Sequence, residues 1–224
     1  MTVVAMVFDV DGTLVDSNRL HASAWERAFA SEGFPIRVGQ ILPFIGKAGE
    51  ALIGELISLD PATVKRLTER QPREFESLAR RDGISPYPGT DALLRELTRR
   101  GVKLAIATSG GRAGFQVIRE TTDLPALGEM DAVVTGDDVE AAKPAPDLVT
   151  QAAAKLGLAP GQCRLVGDTP YDGEAAIRAG VPFIGMTTGV HTEDTLRNAG
   201  ALRVYSGPQD LLRDLDEVLG GGRR

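Results

Sequence analysis

Seven positions in this chain of 224 residues have the types and spacing to do chemistry together. An apolar run, Val3–Phe8, ends in Asp9 and Asp11, with Gly12 directly after them. Later come a hydroxyl pair with glycines (Thr108, Ser109, Gly110, Gly111), a lysine before a Pro-Ala-Pro-Asp stretch (Lys143), and two more acids, Asp168 and Asp172. Carboxylates packed together repel, and some protonate rather than stay ionised side by side. A hard divalent cation resolves that conflict, and Mg²⁺ prefers carboxylate and water oxygens. A metal held by acids attracts phosphate. Lys143 adds a positive point charge, and the N–H groups of a Ser-Gly-Gly turn entering a helix add donors. Asp9, at a strand end, is then placed as a nucleophile that takes a phosphoryl group. Asp11 is placed to protonate a leaving oxygen and afterwards to activate water.

For these residues to meet, the chain must bring the ends of several strands to one rim. Val3–Phe8, Val102–Ala107, Ala132–Val134, Arg164–Val166 and Pro182–Met186 read as short strands, apolar enough to be buried on both faces of a parallel sheet. Between them lie amphipathic stretches: Thr90–Arg100, Ala113–Thr122, Asp147–Leu156 and Tyr171–Ala179. Gly101, Gly157 and Gly180 each stand where a helix should stop. The alternation predicts an α/β fold with helices on both faces of a parallel sheet, and it leaves the strand order open. In such sheets ligands bind beyond the carboxyl ends of the strands, where each chemical residue falls.

One interval breaks the pattern. Roughly ninety residues separate the first strand from the second, where a crossover needs only about a dozen. Residues 18–82 read as helices (Asn18–Ser31, Gly49–Leu59, Thr63–Arg81), and the stretch closes at the turn-rich "SPYPGT" of residues 85–90. The expected organisation is a core of residues 1–16 and 87–224 with a small helical subdomain, residues 17–86, inserted after the first strand.

A net charge of −6 argues against a general nucleic-acid binder. The single cysteine, Cys163, excludes an intramolecular disulfide framework and reads as a core residue. With no leader-like segment before Val3 and no run of membrane-spanning length, the expectation is a soluble, cytoplasmic protein without a membrane partner. The tail "GGGRR" reads as a frayed end. Oligomeric state leaves no signal.

"DVDGT" at 9–13, "IATSG" at 106–110, "KPAPD" at 143–147 and "GDTPYD" at 167–172 resemble, in order and interval, the four motifs of the haloacid dehalogenase superfamily. The resemblance covers the whole chain. It implies a Rossmann-like core with a helical cap, as in phosphoglycolate phosphatases and beta-phosphoglucomutase. It makes Asp9 the phosphorylated nucleophile and a metal ligand, and Asp11 the general acid/base with its main-chain carbonyl on the metal. Thr108 would bind the transferring phosphoryl group beside Ser109 and Gly110, and Lys143 would steady Asp9 and the phosphate. Asp168 would hold Mg²⁺, with Asp172 supporting it directly or through water. An acid at position 11 resembles the phosphate-handling members, because dehalogenases lack it.

Blander readings stand beside these. Asp9 and Asp11 could cap a turn. Thr108 and Ser109 could cap a helix. Lys143 could be a surface charge, and Asp172 an acid favoured by a helix N-terminus. In the insertion, His21 and Trp25 share a helix face. Trp25 reads as packing, while "DSNRLHASAW" resembles a stretch of beta-phosphoglucomutase whose histidine faces the active site. Lys47, in "IGKAGE", is either a contact for an anionic substrate group or an exposed helix-start lysine. His191 reads as a loop residue before a helix capped by Thr192. The reading is a Mg²⁺-dependent phosphatase of a small phosphorylated metabolite, acting through an aspartyl-phosphate on Asp9. A phosphosugar mutase using the same site is the alternative, and a non-catalytic binding module on this scaffold is the reading from another class.

Overall fold

The structure, a computed structural model, describes residues 3–220. The last four residues of the tail read above as frayed, 221–224, lie outside the described residues. Six parallel strands form one sheet: β1 (Ala5–Phe8), β2 (Lys103–Ala107), β3 (Ala132–Val134), β4 (Cys163–Gly167), β5 (Phe183–Met186) and β6 (Ala201–Tyr205), in the order β3-β2-β1-β4-β5-β6. Four helices precede β2 within the insertion: α1 (Asn18–Ser31), α2 (Val38–Ile41), α3 (Gly49–Leu56) and α4 (Pro61–Asp82). The others are α5 (Thr90–Arg99), α6 (Arg112–Thr121), α7 (Asp147–Leu156), α8 (Pro170–Ala179), α9 (Glu193–Asn198), α10 (Pro208–Arg213) and α11 (Leu215–Val218).

Successive side chains of a strand point to opposite faces, and the core divides accordingly. Met6, Phe8, Leu104, Ile106 and Val166 pack with Leu93, Leu94 and Leu97 of α5 and Leu211 of α10. Ala5, Val7, Ala105, Ala107 and Leu165 pack against Leu148, Val149 and Ala152 of α7 and Ala175 and Ala176 of α8. The strand order reverses direction between β1 and β4, so the crevice for a ligand opens at the carboxyl ends of those two strands.

The insertion has its own apolar centre, built from Ala22, Trp25, Ala28 and Phe29 of α1 with Ile41, Leu52, Ile53 and Leu67. It is not walled off from the sheet. Ala24 of α1 and Phe75, Leu78 and Ala79 of α4 join the core on the α5 side. Helix α4 begins two residues before the expected Thr63. Asp60 accepts hydrogen bonds from the backbone N–H groups of Ala62 and Thr63, both at 3.0 Å, and Pro61 takes the first helical position. Helix α3 stops at Leu56, short of the expected Leu59.

The sequence reading lacked β6. It is an edge strand whose Leu202 and Arg203 are exposed, so it carries neither the continuous apolar run of a buried strand nor clean alternation. Gly157 and Gly180 end α7 and α8 in the left-handed conformation, as expected. Thr192 caps α9 by accepting from Thr195 N–H. Among the described residues, no helix is long and apolar enough to cross a membrane.

Candidate active site

Asp9 follows the last residue of β1, and its N–H extends the ladder to β4 by donating to Val166 O at 2.9 Å. The chain then doubles back at once. Leu14 and Val15 both donate to Val10 O, and Gly12 takes φ +76°. That glycine answers to more than the turn: a Cβ there would lie 2.2 Å from both Asn18 Nδ2 and Asp168 Oδ2. The Asp-Val-Asp-Gly sequence thus lets the loop after β4, which carries Asp168, close against the loop after β1.

Lys143 is buried between two acids, its Nζ 2.9 Å from Asp9 Oδ1 and 2.6 Å from Asp172 Oδ1. The surface reading of this lysine is therefore excluded. Asp172 stands at a helix N-terminus, as its bland reading has it, and also pairs with Lys143. Its Oδ2 accepts from Thr169 N–H (3.1 Å) and Thr169 Oγ (2.6 Å), a capping box at the start of α8, while its Oδ1 faces Lys143. Asp168 accepts from Thr13 Oγ1 at 2.8 Å and from Asn18 Nδ2 at 3.2 Å.

Asp11 is held by the insertion. Its Oδ1 accepts from Ser17 Oγ at 2.5 Å and meets His21 Nε2 at 2.9 Å. Gln71 Nε2 lies 3.2 Å from His21 Nδ1, so with the amide donating, the ring proton stands on Nε2 and points at Asp11. Phe75 stacks on the imidazole with centroids 3.8 Å apart. His21 therefore touches Asp11 and not Asp9.

Thr108 is buried at the end of β2, and its Oγ1 accepts from Gly110 N–H at 3.1 Å. Ser109 Oγ is buried with no partner. Gly136 donates to Gly110 O at 2.9 Å and sits so near Ser109 that a Cβ would fall 2.6 Å from its carbonyl oxygen. The loop after β3 thus presses the Ser109–Gly110 turn into place. The turn is less free than its sequence suggests. Gly110 N–H is already used by Thr108, and Arg112 N–H donates to Asp137 at 2.7 Å.

These groups border a cavity of about 500 Å³ between the sheet edge and the insertion. Asp9, Asp11, Thr108, Ser109 and Gly110 form its floor, and His21, Trp25, Lys47 and Gln71 line the insertion side. Lys47 pairs with Glu55, and its ammonium stands 4.8 Å from the centroid of the Tyr171 ring. Tyr171 also donates through its hydroxyl to Pro43 O at 3.2 Å, tying α8 to the insertion. His191 lies outside this cavity wall, edge-on to Tyr171 at 6.2 Å. Cys163 is buried at the first position of β4, as a core residue.

The electrostatics follow from burial. Desolvation lifts Asp9 to about 7; Lys143 opposes the rise, and Asp172 and Asp11 add to it. Desolvation, then Asp172 and Asp9, pushes Asp168 well above the ordinary carboxylate range. Burial acts against the ionised form of Asp11 as well, yet His21 and Ser17 hold it below the usual value. Burial disfavours the Lys143 ammonium too, but Asp172 and Asp9 outweigh it and keep the lysine charged. Asp9, Asp168 and Asp172 offer one oxygen each within 4.8 Å of one another. One buried lysine does not balance three buried carboxylates, and the all-oxygen donor set fits a hard divalent cation.

Sequence reasoning missed the supporting donors Thr13, Ser17, Asn18 and Gln71. Ser17 stands at the N-cap position of α1, but the structure gives it no capping bond and turns its hydroxyl to Asp11. Gln71 carried no local signal, because its partner is fifty residues away.

A family model described as haloacid dehalogenase-like hydrolase matches residues 6–186. The chain is 32% identical to validoxylamine A 7'-phosphate phosphatase of Streptomyces hygroscopicus subsp. limoneus, over 95% of this chain and 94% of that one. It is 27% identical to the phosphoglycolate phosphatase of Escherichia coli O157:H7, over 92% of this chain and 90% of that one. Among solved structures, a hydrolase from Pseudomonas syringae superposes with a TM-score of 0.88 at 34% identity, covering 96% of this chain and 99% of that chain.

Proposed function

The chain belongs to the haloacid dehalogenase-like hydrolases, and from that premise we propose a Mg²⁺-dependent phosphatase of a small phosphorylated metabolite that works through an aspartyl-phosphate on Asp9. The observation that carries the reading is the placement of the Asp9 carboxylate. It is buried at the cavity floor, steadied by Lys143 at 2.9 Å, with Asp11 and Thr108 beside it.

In the first half-reaction an Asp9 oxygen forms a bond to phosphorus as the ester P–O bond breaks, and Asp11 passes a proton to the leaving oxygen. In the second, Asp11 takes a proton from water, whose oxygen attacks phosphorus and restores the Asp9 carboxylate. His21 and Ser17 favour the ionised form of Asp11, the form needed for the second step. An incoming phosphate dianion favours its protonated form, the form needed for the first. Thr108 and Ser109 hydroxyls orient the phosphoryl oxygens, and Lys143 offsets their charge while keeping Asp9 in line. The metal would be held by Asp9, Asp168 and the Asp11 main-chain carbonyl. Asp172, already engaged by Thr169 and Lys143, would support it indirectly. When bound, Mg²⁺ supplies Lewis-acid neutralisation of the phosphoryl oxygens.

Residues 17–86 act in this reading as a cap that excludes water and reads the rest of the substrate, over a core of residues 1–16 and 87–224. The single buried Cys163 suits a reducing cytoplasm. A screen of phosphomonoesters with Mg²⁺, read by phosphate release, tests the proposal. Release that persists in Asp9→Asn would refute it. Turnover that depends on added sugar bisphosphate would favour the mutase instead.

A further inference from the structure

The cavity wall has an uneven distribution of charge that the phosphoryl chemistry does not require. Among the described residues, Lys47 is the one lysine or arginine that lines it. That ammonium is already paired with Glu55 of α3 and lies over the Tyr171 ring. The remaining charged groups on the wall away from Asp9 and Asp11 are Glu50, Asp137 and Glu140, and none of the three has an ion-pair partner among the described residues. Trp25 and Leu52 contribute apolar surface, and Thr68 and Gln71 contribute neutral hydrogen-bonding groups.

We infer that Glu55 determines specificity by neutralising Lys47, so that the cavity takes phosphomonoesters whose remainder is uncharged or cationic and hydroxylated, and rejects those carrying a second anionic group. This rests on the phosphatase reading and narrows its substrate class. A carboxylate or second phosphate entering the cavity would meet three acids without a cationic partner, of which Asp137 accepts only from the Arg112 backbone N–H, and a lysine already paired with Glu55. Like-charge juxtaposition is a strong means of rejecting a wrong ligand. A hydroxylated or amine-bearing group meets an indole face, acceptor carboxylates and neutral polar side chains. Glu55 is half-exposed and forms no hydrogen bond or ion pair with Asp9, Asp11, Lys143 or Asp168, so its charge can be removed without breaking their bonds.

The test is kcat/KM with Mg²⁺ for wild type, Glu55→Gln, and Glu55→Gln combined with Lys47→Ala, on glucose 6-phosphate, glucose 1,6-bisphosphate, glycerol 3-phosphate and phosphoglycolate. Wild type is expected to favour each neutral-remainder substrate over its anionic counterpart by about tenfold or more, the effect of about 1.4 kcal/mol. Glu55→Gln should cut that preference about tenfold by lowering KM for the anionic member alone, and the double variant should restore it. Equal use of both classes by wild type, or a preference unmoved in Glu55→Gln, would overturn this inference while leaving the phosphatase in place. No phosphate release by wild type from any substrate, p-nitrophenyl phosphate included, would overturn the proposed function and this inference with it.

Discussion

Lys143 Nζ lies 2.9 Å from Asp9 Oδ1, both side chains withdrawn from solvent. Among the described residues the lysine is the one buried cation, and it faces a cluster of carboxylates, so its loss should be felt in stability as well as in rate. Removing one partner of a buried ion pair costs about 3–5 kcal/mol. Lys143→Met should lower the unfolding free energy by about that amount and leave little phosphate release. Urea unfolding with and without Mg²⁺ measures it. A variant as stable as wild type in metal-free buffer would show that the lysine is not compensating the acids.

Asp9→Asn should abolish phosphate release, because an amide is a poor nucleophile, while removing one of the repelling buried charges. Its melting temperature without metal should therefore equal or exceed that of wild type. An Asp9→Asn protein that melts below wild type in metal-free buffer would contradict the account of the acid cluster.

Asp11 and His21 should separate kinetically. Asp11→Asn loses general acid/base help in both half-reactions, a cost of about 10²–10⁴-fold in kcat. His21→Ala leaves Ser17 on Asp11 and loses only part of its orientation, so kcat should fall by up to about 10²-fold with KM little changed. A His21→Ala enzyme that raised KM and kept kcat would make the histidine a substrate contact instead.

The metal-free protein should lose stability as pH rises. Asp9 ionises near 7 in the folded chain against an ordinary value of 3.8, so between those values the folded state binds more protons than the unfolded state. The contribution of Asp9 is then greatest at the acid end of that window and is lost through it. Asp168, shifted in the same direction, steepens the fall. Mg²⁺ binds the deprotonated ligands and should oppose the trend, raising the melting temperature most at the upper end. Thermal melts across this range with chelator and with Mg²⁺ decide it; a chelator curve that rises with pH would be incompatible with the raised values.

Gly12→Ala should damage the site without touching a reacting group. The new Cβ would meet Asn18 and Asp168 at 2.2 Å, at a φ of +76°. Backbone strain of this kind costs about 1–3 kcal/mol, before the displacement of Asp168 is counted. The expected result is a lower melting temperature and weaker Mg²⁺ binding by calorimetry. Unchanged Mg²⁺ affinity would mean that Asp168 does not depend on the close approach of the two loops.

What the sequence determined by itself is local. Apolar bursts set five of the six strands because burial on both faces demands continuous hydrophobicity, and glycine after α7 and α8 marked their ends through the left-handed geometry it permits. Asp9, Asp11, Thr108 and Asp168 could be picked out as candidates because each closely follows a strand, and Lys143 because Pro-Ala-Pro-Asp follows it. Edge strand β6 was not, since half of it faces water. Tertiary structure alone decided the partnerships: Ser17 and His21 on Asp11, Gln71 on His21, Lys143 between Asp9 and Asp172, and Glu55 on Lys47. These depend on where segments up to more than a hundred residues apart come to rest. Charge and hydrogen bonding act through space over a few ångströms, and the order of residues along a chain does not record that distance.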